Sequence, residues 1–194
     1  MTETITVEYI TRSKIIPKRA NKKQIIIKWS LILGNLGYFS VFLTGILIAL
    51  FIGPYGYNPY YNAISDLGWS HITPFPFLFD LKSYIGSFVL ISTFFLIKKN
   101  FTYFDHFKDN NFKNPVISKN LIKVGVIFGI IGAIGYIFVA IFNLDRAGPN
   151  GLYHYFFAVV MFGGLITSIS IFSFYIILFK VNISKIFTIF GFIL

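Results

Sequence analysis

Four stretches without a charged side chain constrain this chain more than any other feature: Trp29–Ile52, Ser83–Ile97, Val124–Leu144 and Tyr153–Phe179. A helix needs about 20 mainly apolar residues to cross the hydrocarbon core of a bilayer. Three of the stretches reach that length alone, and the second reaches it when its end residues snorkel to the interface. Backbone in hydrocarbon must satisfy its own hydrogen bonds, so each stretch is expected to be helical. The expected fold is an all-α integral membrane protein, a bundle of helical hairpins with four full spans. Those spans fall at about residues 29–53, 77–98, 121–144 and 153–179, with a partial fifth at 186–194.

The composition agrees. Apolar residues make up 56% of the 194 and charged residues only 12%, too apolar a mixture for one soluble core. Cysteine is absent, which excludes disulfides, thiolate metal sites and a cysteine nucleophile. A formal charge of +10 would suit a nucleic-acid binder if it were gathered on a soluble face. Here the basic residues flank the spans instead, so no nucleic-acid partner is expected. Residues 1–28 are too long and polar for a cleaved signal peptide, and the first span reads as an uncleaved signal anchor. This basic arm suits contact with anionic lipid of the inner leaflet.

Charge placement orients the spans. Of the 17 basic residues, 15 fall in three blocks: before the first span, between the second and third, and after the fourth. The exceptions are Lys82 and Arg146. The positive-inside rule places the N-terminus inside the cytoplasmic membrane, with Tyr55–Phe79 and Asp145–Leu152 outside. The run Ile186–Leu194 covers only about 13 Å as a helix, roughly half a membrane. Such an ending is expected where a longer protein has been cut short.

Small residues mark where spans pack. Gly125, Gly129 and Ala133 recur at four-residue spacing on the third span, near Gly132 and Gly135. Gly163, Thr167 and Ser170 form a similar row on the fourth, beside Gly164 and Ser168. Such rows let helix backbones approach closely. No charged side chain is expected deep in a span, which disfavours an ion-coupled transporter.

The chemistry-bearing residues gather in the two outer loops. In the first, Asn58 and Pro59 read as N-cap and first position of a short helix, and Gly68 as its terminator. Asp66 would then lie in the last turn, where the helix dipole disfavours a carboxylate. An ion pair between Asp66 and Arg146 would join the two hairpins; the alternative is a solvated aspartate in a turn. Asp80 opens the second span, a position that favours a carboxylate, with Lys82 nearby. In the second loop, Gly148-Pro149-Asn150-Gly151 is a turn signal. His154 begins the fourth span, either as a hydrogen-bonded interface residue or as a ligand or acid/base group. No spacing matches a zinc-protease, nucleophile-elbow, P-loop or dinucleotide motif, so neither metal nor cofactor is expected.

The stretch Asn58–Gly68 resembles a prokaryotic family of small polytopic membrane proteins classed only as a domain of unknown function. That family carries an I-S-D-L-G core after a proline, here Ile64-Ser65-Asp66-Leu67-Gly68 after Pro59. A Phe-Asn pair opens its next helix where this chain has Phe79-Asp80, and a histidine opens its fourth span, as His154 does. The resemblance runs from about Leu31 to Phe179 and implies six spans, two more than are complete here. It implies no activity.

The leading expectation is therefore non-enzymatic: an outward-facing polar cap built from Asp66, Arg146, His154, Asp145 and Ser65 that recognises a lipid headgroup, a small ligand or a protein partner. The alternative is a membrane-embedded lipid hydrolase using His154 with Asp66 or Asp145. A small-solute transporter is a third reading, and a homo-oligomer or larger membrane complex is compatible with all three.

Overall fold

The computed structural model describes residues 22–104 and 115–178. It is a helical bundle of four long helices, α1 Lys22–Phe51, α2 Phe77–Phe104, α3 Pro115–Ile141 and α4 Leu152–Leu178. All four are long and apolar enough to cross a membrane. They fall on the four expected spans, and the protein is a helical membrane protein. The first helix begins at Lys22, inside the stretch read as a polar arm, so that arm is partly helical. The partial fifth span at 186–194 lies outside the described residues.

Consecutive helices pack side by side, α1 on α2, α2 on α3 and, most extensively, α3 on α4. Around this seam the outer faces stay apolar and exposed, as with Leu33, Leu36, Phe39 and Leu43 along α1. Lipid is the solvent such faces require.

Glycine makes the α3–α4 seam possible. A Cβ on Gly132 would lie 2.7 Å from the Leu165 backbone nitrogen, and one on Gly164 2.6 Å from the Gly132 nitrogen. Ser168 donates from its hydroxyl to the Gly125 carbonyl at 2.7 Å, a bond between helices. The small-residue row on α4 thus runs through Gly164 and Ser168. Gly163, expected in the row, faces open space and Ser170 is exposed. One residue is about 100° of helix rotation, so neighbouring glycines cannot share a face. On α3 the expected row is shared between partners, because Gly129 faces Phe94 of α2 while Gly125 faces Phe172 of α4.

Hydroxyls inside the helices satisfy themselves. Ser83 donates to the Phe79 carbonyl at 2.8 Å and Ser87 to that of Ser83 at 2.7 Å. This back-bonding lets buried serines sit in an apolar span without an unpaired donor.

Candidate ligand cavity beneath the capped end

The α1–α2 and α3–α4 connections meet at one end of the bundle. The first begins where Gly53 lets the chain pass against the carbonyls of Ala49 and Ile72. The expected short helix is split in two. Asn58 caps a single turn, its Oδ1 accepting from the Tyr60 N–H at 2.9 Å with Pro59 between them. Ala63 is then extended, and a 3₁₀ helix covers Ile64–Gly68.

Asp66 causes the split. Its Oδ2 accepts from the Ala63 N–H at 2.9 Å and from Asn62 Nδ2 at 3.2 Å. A side chain that captures a backbone donor breaks a helix. The carboxylate therefore sits at the start of a helical turn, where the dipole favours it. The expected Asp66–Arg146 pair is not formed. Burial first, and Asp66 second, push the nearby Tyr57 phenol above its ordinary pKa.

Arg146 instead binds Asp80, Nη2 to Oδ2 at 2.6 Å. The same guanidinium donates to the carbonyls of Ala140 and Ile141, both at 2.9 Å. It thereby caps the C-terminus of α3 while Asp80 occupies the first turn of α2, so each charge answers a helix dipole of opposite sign. Asn143 completes the cluster, donating from Nδ2 to both Asp80 oxygens at 3.0 and 3.3 Å. Its Oδ1 is buried without a partner.

Asp145 joins the two connections directly. Its carboxylate accepts from the Ser70 N–H at 3.0 and 3.1 Å and from the Ser70 hydroxyl at 2.9 Å. Gly68, expected as a left-handed terminator, lacks a positive φ. It is required for closeness instead, since a Cβ there would stand 2.8 Å from Phe79 Cδ1 and 3.2 Å from Asn143 Cβ. The expected turn at the second connection is present, with positive φ at Gly148, Asn150 and Gly151. His71 lies apart from these residues, stacked on Tyr55 at a centroid distance of 3.9 Å and close to Trp69.

Beneath this cap lies a cavity of about 640 Å³. Ala63, Ile64 and Ser65 of the lid border it, as do residues of all four helices. Its polar groups come from Asn35, Tyr38, Ser65, Lys82, Tyr136, His154 and Tyr155. Val89, Leu90, Met161, Phe162 and Leu165 form an apolar lining. At 1.5 Å per residue, His154 lies about 3 Å and Lys82 about 7.5 Å along their helices from the capped end, whereas Leu90 and Leu165 lie about 20 Å along theirs. The cavity is more polar toward the capped end; the one polar side chain of its deeper half, Asn35, lies about 24 Å along α1 from that end and donates from Nδ2 to the Leu31 carbonyl at 2.8 Å.

His154 is buried, and its Nδ1 meets the Phe142 carbonyl at 2.9 Å. Only a protonated Nδ1 can donate to a carbonyl, which leaves Nε2 as the lone-pair nitrogen of the neutral ring. The interface-histidine expectation is met in its hydrogen bond, while the ring also borders the cavity. Neither carboxylate named for a hydrolytic pair orients it, because Asp66 and Asp145 are held by the lid backbone and Ser70. Among the described residues no group of three His, Cys, Asp or Glu could hold a metal ion.

Lys82, expected only as a neighbour of Asp80 at the head of the second span, is instead a buried charge within that span. Its ammonium is buried, with 4% of the residue exposed, and it does not pair with Asp80. Nζ lies 4.4 Å from the Phe79 ring centroid and 5.0 Å from that of Phe42, and donates to the Tyr136 hydroxyl at 3.3 Å. Tyr136 and Tyr38 meet hydroxyl to hydroxyl at 3.3 Å. Both rings fit over α2 because Gly86 is there; a Cβ would stand 2.9 Å from Tyr136. Two signals in the sequence mark Lys82. It lies outside the three basic blocks, and it puts a cation near a helix N-terminus, where the dipole opposes it.

No family model, no curated protein and no solved structure matches this chain.

Proposed function

We propose that this protein works by binding, and that it takes a lipid-like amphiphile into the cavity beneath its cap. The carrying observation is the cavity's polarity gradient, from Ser65, Lys82, Tyr136 and His154 near the capped end to Leu90 and Leu165 in the deeper half. Its volume lies within the roughly 300–1,000 Å³ typical of small-molecule sites. The capped end faces outward from the cytoplasmic membrane on this reading, because the basic blocks lie at the opposite ends of the spans. The resemblance to the family with an I-S-D-L-G core belongs to the same proposal. Each residue of that core has a part in the lid: Ile64 and Ser65 border the cavity, Asp66 holds the turn, Leu67 is buried, and Gly68 allows the approach of Phe79.

The test is retention of lipid. Protein purified in mild detergent should carry amphiphile in stoichiometric amount, counted by native mass spectrometry. Ala158→Phe, which fills the cavity from α4, should abolish that retention while preserving the helical circular dichroism. Equal retention by both proteins would show that the lipid sits elsewhere, and would remove the proposal.

A further inference from the structure

We infer that the cavity selects a single-chain amphiphile whose head is an oxyanion, a carboxylate or a phosphate, with Lys82 as its charge partner. This inference rests on the binding reading above and narrows it. A charged side chain inside a membrane span is costly and is held by a partner or marks a site. Arg146, the other basic residue outside the three blocks, has its partner in Asp80. No carboxylate among the described residues pairs with Lys82. Aromatic faces and one phenol surround its ammonium. An ammonium has three donors and no acceptor. Tyr136 takes one of them at 3.3 Å, a long contact, and rings offer no strong acceptor for the rest.

The surroundings favour an anion over a neutral polar head. Ser65 borders the same cavity and can donate its hydroxyl hydrogen to an oxyanion, as can whichever of the paired Tyr38 and Tyr136 hydroxyls does not donate to the other. The carboxylates of the cap are engaged elsewhere, Asp80 with Arg146 and Asn143, Asp145 with Ser70, and Asp66 with Ala63. None of them borders the cavity to repel an anion. A charge-assisted bond in a water-poor site is stronger than a neutral one. Below the head, Val89, Leu90, Met161, Phe162 and Leu165 offer an apolar wall to one alkyl chain.

The experiment uses the whole chain in nanodiscs of phosphatidylcholine, with four probes. These are myristate, 1-myristoyl lysophosphatidate, uncharged monomyristoylglycerol and inorganic phosphate. Both anionic lipids should bind more tightly than monomyristoylglycerol, and the tighter of the two names the head. Lys82→Met should weaken the anionic lipids about 10- to 100-fold and leave monomyristoylglycerol nearly unchanged. Lys82→Arg, which keeps the charge, should restore most of the loss and controls for folding. Inorganic phosphate at millimolar concentration should not displace bound lysophosphatidate; full displacement would overturn the amphiphile class. If monomyristoylglycerol binds as well as the anions, or Lys82→Met weakens all three lipids equally, the anionic head is wrong while the binding reading survives. If no lipid binds, both fall together.

Discussion

Arg146 and Asp80, 66 positions apart in the chain, meet at 2.6 Å and tie the end of α3 to the start of α2. The pair lies where two helix dipoles of opposite sense present opposite partial charges. It therefore stabilises two helix ends as well as a contact between hairpins. Because the guanidinium side chain is half exposed, solvent screens part of the attraction.

A double-mutant cycle of Asp80→Asn and Arg146→Gln should return a coupling of about 0.5–2 kcal/mol, shrinking as salt is raised. The same cycle with Asp66→Asn in place of Asp80→Asn should give no coupling beyond about 0.3–0.5 kcal/mol. Reversible unfolding in detergent measures both. Strong coupling of Asp66 to Arg146 would contradict the arrangement.

Asn143 is buried and supplies two of the hydrogen bonds that Asp80 receives. Asn143→Ala removes that donor and should cost about 1–3 kcal/mol, the usual penalty for stranding a buried polar partner. Asn143→Asp should be worse, since two carboxylates would then face each other out of water. The order of the two midpoints in a thermal melt checks this.

Adjacent glycines on α4 should behave oppositely. Gly164→Ala drives a methyl into the Gly132 backbone and should destabilise by about 1–3 kcal/mol. Gly163→Ala meets nothing within 4 Å and should stay within about 0.5 kcal/mol of the parent. Similar effects at both positions would mean the α3–α4 seam is rotated.

Asp145→Ala should loosen the lid without unfolding the bundle. Its carboxylate receives three bonds from Ser70, so the Ser70 amide should exchange hydrogen faster in the variant. Exchange within α3 and α4 should stay unchanged. Peptide-level hydrogen exchange over residues 63–72 reads the difference.

The absence of cysteine allows a clean test of orientation. In intact cells an impermeant thiol reagent should label His71→Cys and Asn150→Cys and spare Lys119→Cys. The reverse pattern would turn the capped end toward the cytoplasm.

Much of the fold is written in local pattern. Charge-free runs of sufficient length specify helices because hydrocarbon gives a peptide group no other partner, and that rule involves neighbours only. The four helices, the turn around Gly148–Gly151 and the meeting of the two polar connections follow from this reading. Gly68 illustrates where local reasoning stops, since its role depends on Phe79 and Asn143, distant in the chain. Charge pairing is another such limit. Asp66 and Asp80 were both open to Arg146 by composition, and only packing of α2 against α3 decided between them. Lys82 shows the same division. Its position in a helix was legible, but an inward direction, four aromatic neighbours and a cavity from all four helices arise only once the spans are assembled. A sequence pattern records periodicity along one chain axis, whereas a binding site is made of residues that share a place in three dimensions.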